Sequence, residues 1–308
     1  IAKARHASKY SGKPALAVAG AGLVVSNWGE ISASGVPEFS TDAAFTRILY
    51  EAKVSYGNSH DAPYYADPVH PGLGNYVCSK TLLAMPSPSL PVTIEAAYNS
   101  RDHQASGPLG FGWTHTYNTT LTETGGVADI RLGEGQHVMF QSMGGGVYAP
   151  FGCSTPMVLQ KPAFDRYELR QYNGVKYVFN ATGQLTRLEE PSGAHVDLAY
   201  ASRLDRITDT AGRQVDFTWQ TGRIASITAV PIGRSVLFQY DDASNLASIV
   251  DLCGYTNRFL YDAQHRMVAE YDARGYCVSS NRYDSSGRVA AQINAIGQMT
   301  SYVYDDND

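Results

Sequence analysis

Several groups of residues have the types that chemistry needs. Arg101, Asp102 and His103 form one tripeptide, and His115 and His137 follow further along. Gathered by a fold, they would suit acid-base work or metal ligation, but no spacing joins them, and solvated turn positions are the better account of them. The run Gly107-Pro108-Leu109-Gly110-Phe111-Gly112 has the glycines of a phosphate loop. It lacks the lysine and the helix that such a loop requires, so no nucleotide site is expected. Asp305-Asp306-Asn307-Asp308 begins like a calcium loop, without the glycine and the terminal glutamate that complete one. Cys78, Cys153, Cys253 and Cys277 fit no zinc spacing. They read as small, half-buried thiols or as disulfide partners, with three pairings open. Paired carboxylates of a glycan-cleaving enzyme are not found. The expectation is a chain that is not an enzyme and that carries no cofactor and no metal.

The elements that would have to position such residues are dominated by one repeat. An aromatic recurs at Phe179, Tyr200, Trp219, Tyr240, Tyr261, Tyr283 and Tyr304, about every twenty-one residues. Asp follows it at Asp241, Asp262, Asp284 and Asp305, and Asn at Asn180. Fourteen residues after the ring comes a glycine in most repeats, at Gly193, Gly233, Gly254, Gly275 and Gly297; Gly212 is the short-repeat counterpart. Asp209, Asp251, Asp272 and Asn294 stand three residues before such a glycine, and Asn180 to Gly183 and Asp284 to Gly287 repeat the pattern at the other end of the unit. Asp or Asn opening a turn accepts a backbone hydrogen bond, and Gly three later supplies the positive φ of a type I turn with a G1 bulge.

Each unit is therefore a β-hairpin. Val196-x-Leu198-x-Tyr200, Val215-x-Phe217-x-Trp219 and Val236-x-Phe238-x-Tyr240 alternate at period two, which places the rings on the apolar face. In the intervening strands Leu185 and Leu188, Ile224 and Ile227, and Leu246 and Ile249 are three apart, which predicts a bulge. The aromatic platform would suit sugars, but its alternation with Val and Phe favours core packing. A lone hairpin cannot bury its apolar face, so hairpins must stack. The predicted fold is all-β: stacked antiparallel hairpins of about 21 residues in one spiralling sheet, with one short N-terminal helix.

Composition agrees with this. With 24 basic residues scattered among 29 acidic ones, a net charge of −5, 29 glycines and 21 tyrosines, the chain has no cationic stripe for nucleic acid. Residues 1–73 read as an N-terminal extension, a plug or a linker. Its apolar run from Ala15 to Val25 follows scattered lysines like a signal peptide, is too short to span a bilayer, and reads best as a segment packed on the β body. Phe45, Ile48, Leu49 and Ala52 share one face of a helix predicted over 41–56. Residues 74–165 read as a β-rich domain leading into the repeats of 166–308, where Asn173-Gly174 is expected as a type I′ hairpin turn between strands Tyr167–Gln171 and Val175–Phe179. Both chain ends look cut, and the repeats are expected to continue.

Tyr-Asp-x-x-Gly-x-apolar followed by Asp-x-x-Gly, iterated at this length, resembles the YD repeat of the Rhs family, whose relatives include the Tc-toxin shell component and the teneurins. Gly74-Asn75-Tyr76, Leu90-Pro91-Val92, Tyr98-Asn99-Ser100 and Gly107 to Tyr117 resemble the segment that leads into the Rhs core. The repeat-defining positions carried by the resemblance are Tyr240, Asp241, Gly254, Tyr261, Asp262, Gly275, Tyr283, Asp284, Gly287, Gly297, Tyr304 and Asp305. The resemblance implies a non-enzymatic wall segment of a secreted shell that encloses a C-terminal toxin used between bacteria. It implies as partners the chain's own downstream repeats and cargo, and secretion machinery. The Asp-Pro-x-Gly self-cleavage motif of many relatives does not occur, so no catalytic residue is carried over. The alternative is an extracellular or cell-surface adhesion or filament protein, with copies pairing through open sheet edges.

Overall fold

A computed structural model describes residues 68–70, 72–151 and 157–304, and the backbone of 17–18, 23–26 and 30–33. The helix expected over 41–56, Cys153 and Asp305 lie outside the described residues. The apolar run near the N-terminus contributes the short strand Ala17–Val18, which pairs with Leu23–Ser26, and that strand pairs in turn with Glu30–Ala33.

The all-β expectation holds. Nineteen strands from Thr120–Thr124 to Met299–Ser301 form one antiparallel sheet in strict sequence order, each paired with its neighbour in the chain. Among the described residues the only helical pieces are the 3-10 turns Ser100–Asp102 and Val230–Ile232. No described helix is long and apolar enough to cross a membrane. A separate four-stranded sheet precedes this one, made of Val69–His70, Asn75–Met85, Val92–Asn99 and Trp113–His115. The sheets thus divide between His115 and Thr120.

The bulge recurs in the repeats. Register shifts fall between Val178 and Phe179, Ala199 and Tyr200, Thr218 and Trp219, Gln239 and Tyr240, Leu260 and Tyr261, and Arg282 and Tyr283. In every case the extra residue sits on the strand after the ring. This explains apolar residues three apart: the first precedes the extra residue, and the second returns to the inner face after it. On that face Val196, Ile207, Val215, Ile227 and Val236 are fully buried.

The turns follow the Asx chemistry. Gly193, Gly212, Gly254, Gly275, Gly287 and Gly297 all have positive φ, between 76° and 88°. The Asn173-Gly174 turn is a correction. Only Gly174 has positive φ there, and its N–H bonds the Gln171 carbonyl while the Asn173 side chain accepts from Val175 N–H, so the turn is not type I′. A type I′ turn needs positive φ at both central residues.

The sheet also bends back on itself. The Leu121 N–H bonds the Gly183 carbonyl at 2.9 Å, and Thr120 pairs with Gln184, so the first strand meets a turn seven strands later. A Cβ on Gly183 would lie 1.7 Å from the Leu121 oxygen. That glycine is required by contact as well as by φ.

Candidate functional site

The ladder rings are structural donors. The Tyr200, Tyr240, Tyr261 and Tyr283 hydroxyls donate to the carbonyls of Leu185, Ile224, Leu246 and Met267 at 2.8 to 2.9 Å. Tyr304 donates to the Val289 carbonyl at 2.6 Å. Trp219 does the same through its indole N–H, to Leu204 at 2.8 Å. Each acceptor sits at the bulge, where ladder pairing is disturbed. Tyr and Trp interchange here because both bring a ring and a donor. Phe179 has no donor and is fully buried. Burial lifts the phenols, Tyr200 to about 12 and Tyr261 and Tyr283 well above the ordinary tyrosine value, so they stay protonated donors at any physiological pH.

The acids after the rings are turn locks. Asp262 Oδ1 accepts from the N–H groups of Gln264 and Arg266, and Oδ2 from the Arg266 side chain at 2.7 Å. Asp284 holds Ser286 and Arg288 likewise. Burial alone would raise both carboxyls, but the hydrogen bonds from Arg266 and Arg288 outweigh it and hold both below the usual carboxylate range. Asp241 uses Asn245 in place of arginine.

Sequence reading missed the arginines themselves. Arg266 lies 4.8 Å from the Tyr283 ring centroid and Arg288 4.4 Å from that of Tyr304; Arg203 and Arg223 sit over Trp219 and Tyr240 at 5.2 and 5.7 Å. Each arginine stands immediately before the residue whose carbonyl takes the ring's hydrogen bond. The signal was an Arg-apolar dipeptide sixteen or seventeen residues before a ring.

The early histidines and glycines dock the N-terminal sheet on the ladder face. Tyr98 Oη donates to the His265 carbonyl at 3.2 Å and accepts from Met267 N–H at 2.8 Å. Trp113 Nε1 donates to the Tyr261 hydroxyl at 2.7 Å, and its ring meets Phe259 edge-on at 5.0 Å. Phe111 stacks on His265 with centroids 3.8 Å apart. The glycine-rich loop serves this approach, for a Cβ on Gly110 would come within 2.9 Å of the Ser244 oxygen. Opposite it, Ser244 and His265 hold positive φ without being glycine. Such strain persists only where surrounding contacts over-determine it.

The other sequence candidates do not converge. His103 Nδ1 lies 2.6 Å from the Gln264 carbonyl, Asp102 takes Arg131, and His137 faces Asp129. His115 is a correction. It is not in a solvated turn but 1% exposed, and burial lowers its pKa to about 4. The inner face of a strand packed on the ladder is the reason. Among the described residues no three His, Cys, Asp or Glu gather as metal ligands. Cys78, Cys253 and Cys277 are free thiols, and Cys253 is exposed, not half-buried.

One polar cluster remains. Tyr76 Oη lies 2.9 Å from Ser279 Oγ and donates to Glu270, and Lys80 pairs with Glu270. Burial, then the Glu270 carboxylate, pushes the Cys78 thiol well up, which makes it a poor nucleophile. Asn281 donates to the Met267 carbonyl and accepts from Gln292. Every member is satisfied by another, as in a specificity network between two sheets.

Residues 66–140 match the family model described as "Domain of unknown function (DUF6531)". The chain is similar to one chain of a mutant Tc holotoxin pore from Photorhabdus luminescens, at 11% identity and TM-score 0.31, over 76% of this chain and 14% of that one. It is also similar to a chain in the crystal structure of TcdB2-TccC3-TEV, at 11% identity and TM-score 0.17, over 73% of this chain and 14% of that one. The protein spans only 14% of the length of either.

Proposed function

We propose that this chain is a non-enzymatic wall segment of a secreted YD-repeat shell, which with further repeats encloses a C-terminal cargo such as a toxin. The observation that carries the reading is the ladder. Nineteen strands run in sequence order, ring-to-carbonyl bonds tie the repeats from Leu185 to Tyr304, and the N-terminal region bonds to them through Pro108 at Ile224 and Gly74 at Val289. Such a sheet extends without changing its rule, because each hairpin contacts its neighbours in the same way. The clusters around Glu270 and Glu123 support the non-enzymatic part. Tyr148 and Lys161 bond the Glu123 carboxylate at 2.7 and 3.1 Å, Tyr167 bonds it too, and these bonds, Tyr167 first, hold it ionised as a structural anchor.

The test is made on the protein as its source produces it. Intact mass of the denatured polypeptide and electron microscopy of the native particle are measured together with protease resistance of any C-terminal segment. A hollow particle that protects such a segment supports the reading. A fibre or open ribbon joined at strand edges overturns it in favour of an extracellular adhesion or filament protein.

A further inference from the structure

Two of the four ladder arginines lack what the others have. Arg266 and Arg288 stack on the next ring while paired to Asp262 and Asp284. Arg203 and Arg223 stack in the same way, but the residue after the ring that precedes each is Ala201 and Gln220, and among the described residues neither arginine forms an ion pair. Their strands, Leu204–Asp209 and Arg223–Ala229, are separated by a single strand. That spacing sets the two backbones roughly 10 Å apart, within the reach of two long side chains that converge.

Both arginines line one cavity of about 530 Å³ between the N-terminal sheet and the second and third rungs. Among the described residues no Asp or Glu lines it. Its wall includes the Tyr200 and Trp219 rings, the Asn118 amide and His115. The His115 side chain is 1% exposed, and its Nδ1 has no hydrogen-bond partner; Arg223 Nε is also buried without one. Both atoms are shut off from the cavity as from solvent, so what its wall offers a ligand is the terminal guanidinium nitrogens of Arg203 and Arg223 and the Asn118 amide.

We propose that this cavity binds an acidic sugar of one or two residues, such as a uronate, presented free or at the end of a glycan. The carboxylate meets the Arg203 and Arg223 guanidiniums, a pyranose face lies against the ring wall, and hydroxyls reach Asn118. Planar guanidiniums suit a carboxylate. The volume suits a small organic ligand and is far more than inorganic phosphate would fill. The assignment does not depend on whether the sheet forms a closed shell.

Titration calorimetry of the full chain against digalacturonic acid, galacturonic acid, neutral galactobiose and inorganic phosphate tests it. Both acids bind, galactobiose does not, and the affinity falls as salt screens the charges. A preference for digalacturonic acid over the monomer identifies a glycan end as the source; equal affinity identifies the free sugar acid. Arg203→Gln and Arg223→Gln each weaken binding at least fivefold at an unchanged unfolding midpoint. Gln220→Asp, which returns a carboxylate to the position after the ring, abolishes binding without removing an arginine. Phosphate binding as tight as the uronate, equal binding of galactobiose, no binding of either acid, or no effect of these variants overturns the proposal.

Discussion

The early and late repeats use the same backbone rule over different cores. Across the early rungs the inner face is apolar: Leu188, Ile207, Ile227 and Ile249 occupy the position after the bulge, and Val215 and Phe217 the strand between. In the late rungs the equivalent places hold Glu270, Gln292, Ser279 and Asn281, all buried. The difference follows what covers them. Phe217 faces His115, 5.9 Å between centroids, whereas Glu270 and Ser279 face Tyr76 and Lys80. Hydrophobic burial drives the first contact, and a satisfied polar network sets the register of the second. A ladder rule therefore fixes geometry without fixing core chemistry.

Experiments that break or sharpen this contrast follow in order of size. Phe217→Ala costs about 3–5 kcal/mol by chemical denaturation, the range for a large buried ring. A loss no greater than that of Ser279→Ala would erase the contrast. Next comes pH. His115 is neutral when folded, so between its unfolded value of 6.5 and about 4 the unfolded chain binds the extra proton. Stability therefore falls as pH drops through that window, by up to about 3 kcal/mol. His115→Phe flattens that limb of the profile, and an unchanged limb would place the imidazole in solvent.

Glu270→Ala costs about 2 kcal/mol, below the usual figure for breaking a buried pair because Lys80 is partly exposed. Adding Lys80→Met recovers most of the loss in a double-mutant cycle. Failure to recover would show that Glu270 serves Tyr76 and Cys78 rather than the lysine. The smallest effect is on the ladder itself. Tyr261→Phe costs about 2 kcal/mol, since both the Leu246 carbonyl and the Trp113 indole lose their partner, against about 1 kcal/mol for Tyr240→Phe. Equal losses would mean that Trp113 does not depend on the rung.

Much of the fold was legible because it is local. Asp272 and Gly275 close their turn through bonds spanning at most four residues, so composition at fixed offsets reveals it. The three-residue spacing of Ile224 and Ile227 announced the bulge for the same reason. Asn173-Gly174 misled because its dipeptide suits two turn types, and the three-residue loop between the bonded Gln171 and Val175 decided between them. The arginine stacks span one repeat and were visible as a period, although charge on a strand edge ordinarily signals solvent.

By itself the sequence determined the repeat length, the turn chemistry, the face that carries the rings and the all-β class. Each of these depends on backbone sterics and hydrogen bonds within about twenty residues. Only the tertiary structure decided that Trp113 bonds Tyr261, that Lys80 meets Glu270, that His115 is buried, and that Arg203 and Arg223 share a cavity without a carboxylate. The first two contacts join residues 148 and 190 positions apart. No periodicity encodes such pairs; they are fixed by how the N-terminal sheet docks on the ladder.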